Sequence, residues 1–85
     1  MVRILLFASL RDIVGAGQIE VAVREDMPAS RLIELLEEEH PALKRYRSVI
    51  RIAVNQEYAS PDAVVRPGDE VALFPPVSGG ARWSS

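Results

Sequence analysis

The sequence has no cysteine and a single histidine among its 85 residues. Without thiols, a disulfide framework, a thiolate metal site and a cysteine nucleophile are excluded. The 10 basic and 12 acidic residues leave a net charge of -2, which gives no electrostatic reason to bind nucleic acid. No apolar run approaches the roughly 20 residues that a membrane-spanning helix needs. We therefore expect no nucleic-acid partner and no membrane span, and we expect cytoplasmic residence because no secretory signal pattern follows Arg3.

The length of the chain limits what it can do alone. A chain of 85 residues supports one modest hydrophobic core, and 48% hydrophobic with 26% charged residues is typical of a globular domain. It is too small for the two lobes that usually enclose an active site. We therefore predict that the protein is not itself an enzyme and that any chemistry takes place on a partner.

Strand-forming residues recur along the chain, separated by turn signals. Alternation of apolar and polar residues at Ile19, Val21 and Val23 indicates a half-buried strand, and Pro67-Gly68-Asp69 is a strong turn signal. The predicted strands cover residues 2–8, 18–24 and 51–55, a short extension at 57–59, and residues 70–74.

One main helix is predicted between the second and third strands. Leu32, Ile33, Leu35 and Leu36 recur at the spacing of one helix face, and Ser30 is a plausible N-cap. The helix should end near His40, because the residue before a proline is disfavoured in the helical region. A shorter helical turn is expected at residues 9–14, and Gly15-Ala16-Gly17 is expected to be the hairpin turn between the first two strands.

This order of elements predicts an α+β fold, a β-grasp (ubiquitin-like) mixed sheet with one main packed helix. The first and last strands can then lie side by side at the centre of the sheet. If Val2, Ile4 and Leu6 face the helix, Leu5 and Phe7 lie on the opposite face, where Tyr58 and Phe74 can join them. Such an exposed cluster would be a protein-binding patch. The alternative is that Phe7 and Phe74 belong to the core.

The polar groups around the end of the predicted helix do not indicate a metal site or a binding site. His40 beside Glu37, Glu38 and Glu39 is interpreted as a solvated helix end rather than a metal site, because one imidazole with neighbouring carboxylates lacks convergent ligand geometry. A basic stretch, Lys44, Arg45, Arg47 and Arg51, is interpreted as a solvated loop.

Two further motifs lack essential partners. Ser9 near Asp12 has no histidine base with which to form a catalytic triad. Gly15-Ala16-Gly17 lacks the spacing and the following Lys-Ser/Thr of a phosphate-binding loop. We therefore expect neither nucleophilic catalysis nor nucleotide binding by this chain.

The C-terminal segment is the most distinctive part of the sequence. Pro75 and Pro76 fix φ and lack backbone donors, and Gly79 and Gly80 have no Cβ, so this backbone can thread a channel too narrow for side chains. From Pro75 to Gly80 it can span roughly 20 Å at about 3.3 Å per residue. We divide the chain into a β-grasp domain at residues 1–74, an extended reactive tail at 75–80 and a C-terminal extension at 81–85.

Three stretches carry a family resemblance. They are Ile-Leu-Leu-Phe-Ala-Ser-Leu-Arg-Asp-Ile-Val-Gly at residues 4–15, Ala-Val-Asn-Gln at 53–56 and Gly-Asp-Glu-Val-Ala-Leu-Phe-Pro-Pro-Val-Ser-Gly-Gly at 68–80. Together they resemble the small subunit of molybdopterin synthase, a ubiquitin-like sulfur carrier. The Phe-Pro-Pro-Val-Ser-Gly-Gly ending joined to a Gly-Asp-Glu-Val strand is the most specific part.

The resemblance implies a reaction cycle at Gly80. An adenylating enzyme similar to ubiquitin-activating enzymes would use Mg-ATP to activate the Gly80 carboxylate, which then becomes a thiocarboxylate. The tail would enter the large catalytic subunit of molybdopterin synthase, within a heterotetramer, and give its sulfur to a cyclic pyranopterin precursor of the molybdenum cofactor. This chain would bind no cofactor or metal.

The resemblance also assigns roles to residues of this chain. The positions that match partner contacts are Phe7, Arg11, Tyr58 and Phe74. The positions that match the reactive tail are Pro75, Pro76, Val77, Ser78, Gly79 and Gly80.

Residues 81–85 depart from the family pattern, which normally stops at the second glycine. Because Ala81 follows Gly80, we expect a peptidase to remove these residues before activation. The alternatives are a cloning remnant, a terminus inherited from a fused catalytic subunit, or a homologue that never carries sulfur. Other functions also remain open: sulfur delivery for thiamine, cysteine or another thiolated metabolite, a ubiquitin-like protein modifier, or a pure interaction module.

Overall fold

The structure, a computed structural model, describes residues 1–76 of the chain. Within this part, five strands form one mixed sheet in the order β2-β1-β7-β4-β5, and β3 pairs with β6 in a separate two-stranded sheet. The strands are β1 (Val2–Leu6), β2 (Gln18–Val21), β3 (Met27–Pro28), β4 (Arg51–Val54), β5 (Glu57–Ala59), β6 (Val64–Val65) and β7 (Glu70–Phe74). The helices are α1 (Ala8–Val14), α2 (Ala29–Glu39) and a 3₁₀-helix (Pro41–Tyr46).

The centre of the sheet confirms the predicted topology. β1 runs parallel to β7, while β1 with β2, β4 with β7 and β4 with β5 are antiparallel pairs. Because β1 and β7 are parallel, their carboxyl ends lie at the same edge of the sheet. The chain therefore leaves β7 beside the end of β1.

The core lies between the sheet and α2. Val2, Ile4 and Leu6 are almost fully buried, which confirms the predicted inward face of β1. From the helix, Leu32 and Leu36 meet them in one hydrophobic cluster. Burying a side chain of this size contributes roughly 1.5–3 kcal/mol, so this layer supplies most of the stabilisation that holds the sheet and helix together.

Some predicted boundaries were wrong. β1 ends at Leu6 rather than at residue 8, and β2 ends at Val21 rather than at residue 24. The helical turn predicted at residues 9–14 is confirmed as α1, so that β1 and β2 are joined by this helix and the break at Gly15-Ala16-Gly17 rather than by a tight hairpin turn alone. Gly15 closes that helix in a left-handed conformation, φ 87°, and its amide donates to the Arg11 carbonyl at 2.8 Å.

The predicted N-cap at Ser30 was also wrong. α2 begins at Ala29 and has no side-chain cap. Its first amides are satisfied by a neighbouring loop: Ala29 N donates to the Ala63 carbonyl at 2.8 Å and Ser30 N to the Pro61 carbonyl at 2.9 Å. Because these carbonyls take the place of a cap, the Ser30 hydroxyl is not needed for that purpose.

An ion pair between the buried Glu37 and the exposed Arg47 corrects two further interpretations. Glu37 is 1% exposed rather than part of a solvated helix end, and Arg47 contacts it rather than lying free in a loop. Arg47 Nε donates to Glu37 Oε1 at 3.1 Å and Oε2 at 2.9 Å, and Nη2 also donates to Oε1. The hydrogen bonds from Arg47 hold the pKa of Glu37 below its ordinary value of 4.5, against the opposing effect of burial. This pair ties α2 to the segment that follows the 3₁₀-helix.

Two turns, one between β4 and β5 and one before β7, are hydrogen-bonded to each other at the edge of the sheet opposite the tail. Asn55 and Gln56 join β4 to β5 with φ of 52° and 73°, as in a type I′ hairpin turn. Asn55 Nδ2 donates to Asp69 Oδ1 at 3.1 Å, and Arg66 N donates to Asp69 Oδ2 at 2.8 Å in the predicted turn before β7. The Arg66 amide, with smaller help from Asn55, lowers the pKa of the Asp69 carboxyl.

Candidate functional site

The parallel pairing of β1 with β7 brings two phenylalanines together. Leu6 lies opposite Leu73 in the register, so Phe7 and Phe74 follow side by side at the edge where the chain leaves the sheet. Their rings stack with centroids 4.7 Å apart and planes 10° from parallel. Such offset-stacked pairs are favourable beyond the area that they bury.

Tyr58 completes the cluster from the other side of β7. It lies opposite Ala53 on the neighbouring strand, and Ala53 lies opposite Ala72. The Tyr58 and Phe74 rings are 6.3 Å apart and tilted by 54°. We call Phe7, Tyr58 and Phe74 the aromatic patch.

The small side chains of Ala53 and Ala72 leave a groove between the rings. Its volume is about 340 Å³. It is lined by Leu5, Phe7, Ala53, Gln56, Tyr58, Glu70, Ala72 and Phe74. The floor is therefore apolar, whereas Gln56 and Glu70 supply polar groups to the lining.

The exposure of the patch decides between the two interpretations of its rings. Tyr58 is 78% exposed and Phe7 is 41% exposed, while Phe74 is half-buried between them. The prediction that these residues lie on the face opposite α2 is confirmed, and the alternative that Phe7 and Phe74 belong to the core is wrong. A contiguous aromatic surface of this kind is typical of a protein-binding site.

The backbone turns sharply directly after Phe7. Ala8 has φ 51°, in the left-handed region that costs a residue other than glycine roughly 1–2 kcal/mol. The turn starts α1 and leaves Phe7 at the end of its strand, next to Phe74. Backbone strain is thus stored beside the aromatic patch, as often happens at functional sites.

Arg11 lies near this patch without lining the groove. Its amide donates to the Phe7 carbonyl at 3.4 Å, one helical turn into α1. Its side chain passes close to Gly17, where a Cβ would come within 3.1 Å of Arg11 Cδ. The structure thus brings three of the four predicted partner-contact residues together and places Arg11 exposed at the adjoining shallow depression.

The tail begins at the patch. Pro75 is half-buried and Pro76 is exposed. The other predicted tail positions, Val77, Ser78, Gly79 and Gly80, and the extension at 81–85 lie outside the described residues.

The groove floor was missed from the sequence. Nothing in the sequence distinguished Ala53 from other small residues. For Ala72 a signal did exist, since it is two residues before Phe74 and so lies on the same face of a strand.

The described part of the chain was compared with the requirements of a metal cluster and of a membrane-spanning helix. Among residues 1–76, no group of three or more histidine, aspartate or glutamate side chains is placed to hold a metal ion. Over the same residues, no helix has the length and apolar character to cross a membrane.

Comparison with known proteins assigns the family. Residues 4–80 match the ThiS family. The chain belongs to the ThiS family. That match spans the sheet, the aromatic patch and the tail up to Gly80.

Relatives in the family are similar over nearly their whole length. The chain is 40% identical to the molybdopterin synthase sulfur carrier subunit of Escherichia coli strain K12, over 94% of this chain and 100% of that one. It is 38% identical to the protein of the same name from Homo sapiens, over 93% of each chain.

A solved structure has the same fold. The structure of small archaeal modifier protein 1 of Haloferax volcanii superposes with a TM-score of 0.78 at 32% identity, covering 89% of this chain and 97% of that one. The fold of this chain is therefore the β-grasp (ubiquitin-like) fold of that family, as predicted.

Proposed function

We propose that this protein is the sulfur carrier subunit of molybdopterin synthase. The observation that supports this most directly is the position of the tail: β7 ends at Phe74, inside an exposed aromatic patch, and Pro75-Pro76 leads from there towards Gly-Gly. Similarity to sulfur carrier subunits at 38–40% identity supports the same function. The chain itself is then a carrier whose chemistry takes place on other proteins.

The proposed chemistry needs a free carboxylate at Gly80. A peptidase first adds water across the Gly80–Ala81 peptide bond, leaving the Gly80 carboxylate and the amine of Ala81. An adenylating enzyme then transfers AMP from Mg-ATP to that carboxylate and releases pyrophosphate. A donor of sulfur at the sulfide level then attacks the acyl carbon, the bond between that carbon and the AMP oxygen breaks, AMP leaves and a proton is released, so that the product is a Gly80 thiocarboxylate. Adenylation is required because a carboxylate is a poor electrophile with a poor leaving group.

The aromatic patch is the proposed docking site for the large catalytic subunit. Its stacked and tilted rings offer rigid apolar surface at low conformational cost, which is what interface anchors require. Arg11, exposed one helical turn beyond Phe7, adds a charged contact at its border. A partner that holds Phe74 holds the tail at its origin, and the roughly 20 Å from Pro75 to Gly80 can then reach an active site inside that partner.

The test is charging of a chain that ends at Gly80. With the adenylating enzyme, a sulfur donor and Mg-ATP, intact mass spectrometry should show oxygen replaced by sulfur at the C-terminus. A matched chain that lacks Gly80 should keep its fold, because the core lies within residues 1–74, but should acquire no sulfur. Charging that is independent of Gly80 would contradict the proposed function. So would loss of folding on deletion of Gly80, because it would tie the tail to the core.

A second function is favoured by one finding. The chain also matches small archaeal modifier protein 1 over 89% of its length, so conjugation of Gly80 to protein lysines is the alternative. The two functions separate by product. A modifier yields adducts in which Gly80 is joined to lysine side chains, whereas a carrier yields a thiocarboxylate and a stable complex with the large subunit. Sulfur delivery for thiamine, cysteine or another metabolite would give the thiocarboxylate without that complex.

A further inference from the structure

One edge of the main sheet is open within residues 1–76. β2 is the outermost strand at that edge, and it pairs with β1 alone. Leu6 N donates to the Gly17 carbonyl at 2.9 Å, and the residues that bond to β1 alternate along an antiparallel strand. Gln18 and Glu20 lie between the bonded positions, so their amides and carbonyls point away from the sheet.

A groove of about 520 Å³ lies beside this edge, between β2 and α2. Ile19 and Val21 line it from the strand and Leu35 from the helix, and all three are partly exposed. Because side chains alternate along a strand, a segment added to the edge would direct every second side chain into this groove. We call the open edge of β2 together with this groove the β2 edge site.

The β2 edge site is negatively charged. Glu20, Glu38 and Glu39 line the groove and are exposed, and no lysine or arginine of residues 1–76 lines it. Arg3, opposite Glu20 in the register, bonds to Glu70 instead. The ion pairs formed within residues 1–76 include none of the three glutamates that line the groove. Their carboxylates therefore favour a partner of positive charge.

We propose that the β2 edge site binds an extended segment of a partner protein that is apolar on one face and rich in lysine or arginine. The backbone of that segment pairs with Gln18 and Glu20 and adds a strand to the sheet. Its apolar side chains enter the groove, and its basic side chains meet Glu20 or reach the helix at Glu38 and Glu39.

A second copy of this chain is a poorer occupant. Pairing β2 with another β2 would bring two Glu20 carboxylates close together, and like charges on adjacent strands are destabilising. The β2 edge site also shares no lining residue with the groove of the aromatic patch. A partner at β2 would therefore not compete for the aromatic patch, and the inference does not depend on the proposed function.

The first test uses the full chain and a short capped peptide of alternating lysine and valine. Hydrogen exchange measured by NMR should show slower exchange of the Gln18 and Glu20 amides, by about tenfold when the peptide concentration is about ten times Kd. The Ile19 and Val21 amides, which already face β1, should change little. Unchanged exchange of Gln18 and Glu20 would overturn the proposal. So would protection that rises with the concentration of the chain alone, because a second copy would then occupy the edge.

Methylated peptides separate strand pairing from simple attraction of charge. Alternate amides of a strand point to opposite edges, so methylating either every lysine amide or every valine amide gives two peptides of equal charge. Only one of them keeps the donors that face β2. That peptide should bind like the unmodified one, and the other should bind at least about tenfold more weakly because it loses two or more hydrogen bonds. Equal affinities of the two methylated peptides would overturn the strand pairing.

Charge reversal tests the role of the glutamates. Glu38→Lys should weaken binding of the unmodified peptide about fivefold, because an attraction becomes a repulsion. Asp62→Lys is the matched control: it is exposed in the loop whose carbonyls bond the first amides of α2, roughly 13 Å along the helix from Glu38. That distance exceeds the Debye length of about 8 Å in physiological salt, so Asp62→Lys should change the affinity less than about twofold. Equal weakening by both variants would overturn the charge complementarity. Failure of Gly80 charging would affect only the proposed function, because these measurements involve neither sulfur nor the large subunit.

Discussion

Replacing Phe74 by alanine tests whether the aromatic patch is a binding surface. Phe74 is half-buried and stacks on Phe7, whereas Leu73, its neighbour in β7, is 1% exposed on the core face. Truncating a fully buried phenylalanine costs about 3–5 kcal/mol, so a half-buried ring should cost about 1–2 kcal/mol, including the lost stacking. Leu73→Ala is the matched control and should cost about 3–5 kcal/mol.

Denaturant unfolding and calorimetry measure these differences. In a domain of this size, 1 kcal/mol corresponds to about 4–8 °C in Tm, so the two variants should be clearly separated. Isothermal titration with the large catalytic subunit then measures binding. An interface anchor contributes about 2 kcal/mol or more, so Phe74→Ala should bind at least about 30-fold more weakly, and folded Leu73→Ala should bind normally.

One pattern of results would refute the reasoning. If Phe74→Ala lost as much stability as Leu73→Ala while its folded fraction bound the large subunit with unchanged affinity, Phe74 would be a structural residue. The aromatic patch would then have no role in docking, and the position of the tail beside it would carry no functional meaning.

Two further predictions concern the folded body. Gly15→Ala should lower the free energy of unfolding by about 1 kcal/mol, because Gly15 has φ 87° and its Cβ would meet nothing within 4 Å, so the cost is conformational. Gly17→Ala, where the flexible Arg11 side chain can move aside, should cost less in the same denaturant titration, and equal costs would contradict this reasoning. Since the pKa of Glu37 is lowered on folding, its contribution to stability should be complete above 4.5 and disappear as the pH falls through the folded pKa. Glu37→Gln should therefore flatten the acid limb of stability against pH, and an unchanged limb would exclude the pair with Arg47 as its cause.

The sequence correctly predicted which side chains of β1 face the core. Alternation places Val2, Ile4 and Leu6 on one side and Leu5 with Phe7 on the other, and the structure confirms both. The prediction succeeds because side chains alternate along a strand and one face of β1 is buried in the core, so a shift by one residue would expose that whole face.

The same reasoning failed where tertiary contacts replace local signals. Ser30 has a residue type that commonly caps helices, yet the carbonyls of Pro61 and Ala63 satisfy the first amides of α2. These carbonyls are some thirty residues away in the sequence, so no local pattern could reveal them. The pairing of β3 with β6, which brings that loop to the helix, was missed for the same reason.

The buried Glu37 shows a similar limit. It is one of three consecutive glutamates, and residue type alone predicts that all three side chains are exposed. The helical period turns Glu37 inwards, and the 3₁₀-helix then brings Arg47 back to it. Only the path of the chain between residues 40 and 47 distinguishes Glu37 from Glu38 and Glu39.

In the proposed function, the parallel pairing of β1 with β7 links binding of the partner to delivery of the tail. It sets Phe7 against Phe74 at the edge where the tail begins, so any protein that binds the aromatic patch also fixes the origin of the tail. With the origin fixed, the length of six residues keeps Gly80 within roughly 20 Å of the start of the tail, which would raise its effective concentration at the proposed partner's active site. Pro75 and Pro76 narrow that volume further because their φ angles are fixed. In the proposed function, Phe74, the residue that ends the sheet, therefore sets both how tightly the carrier docks and where its reactive end can reach.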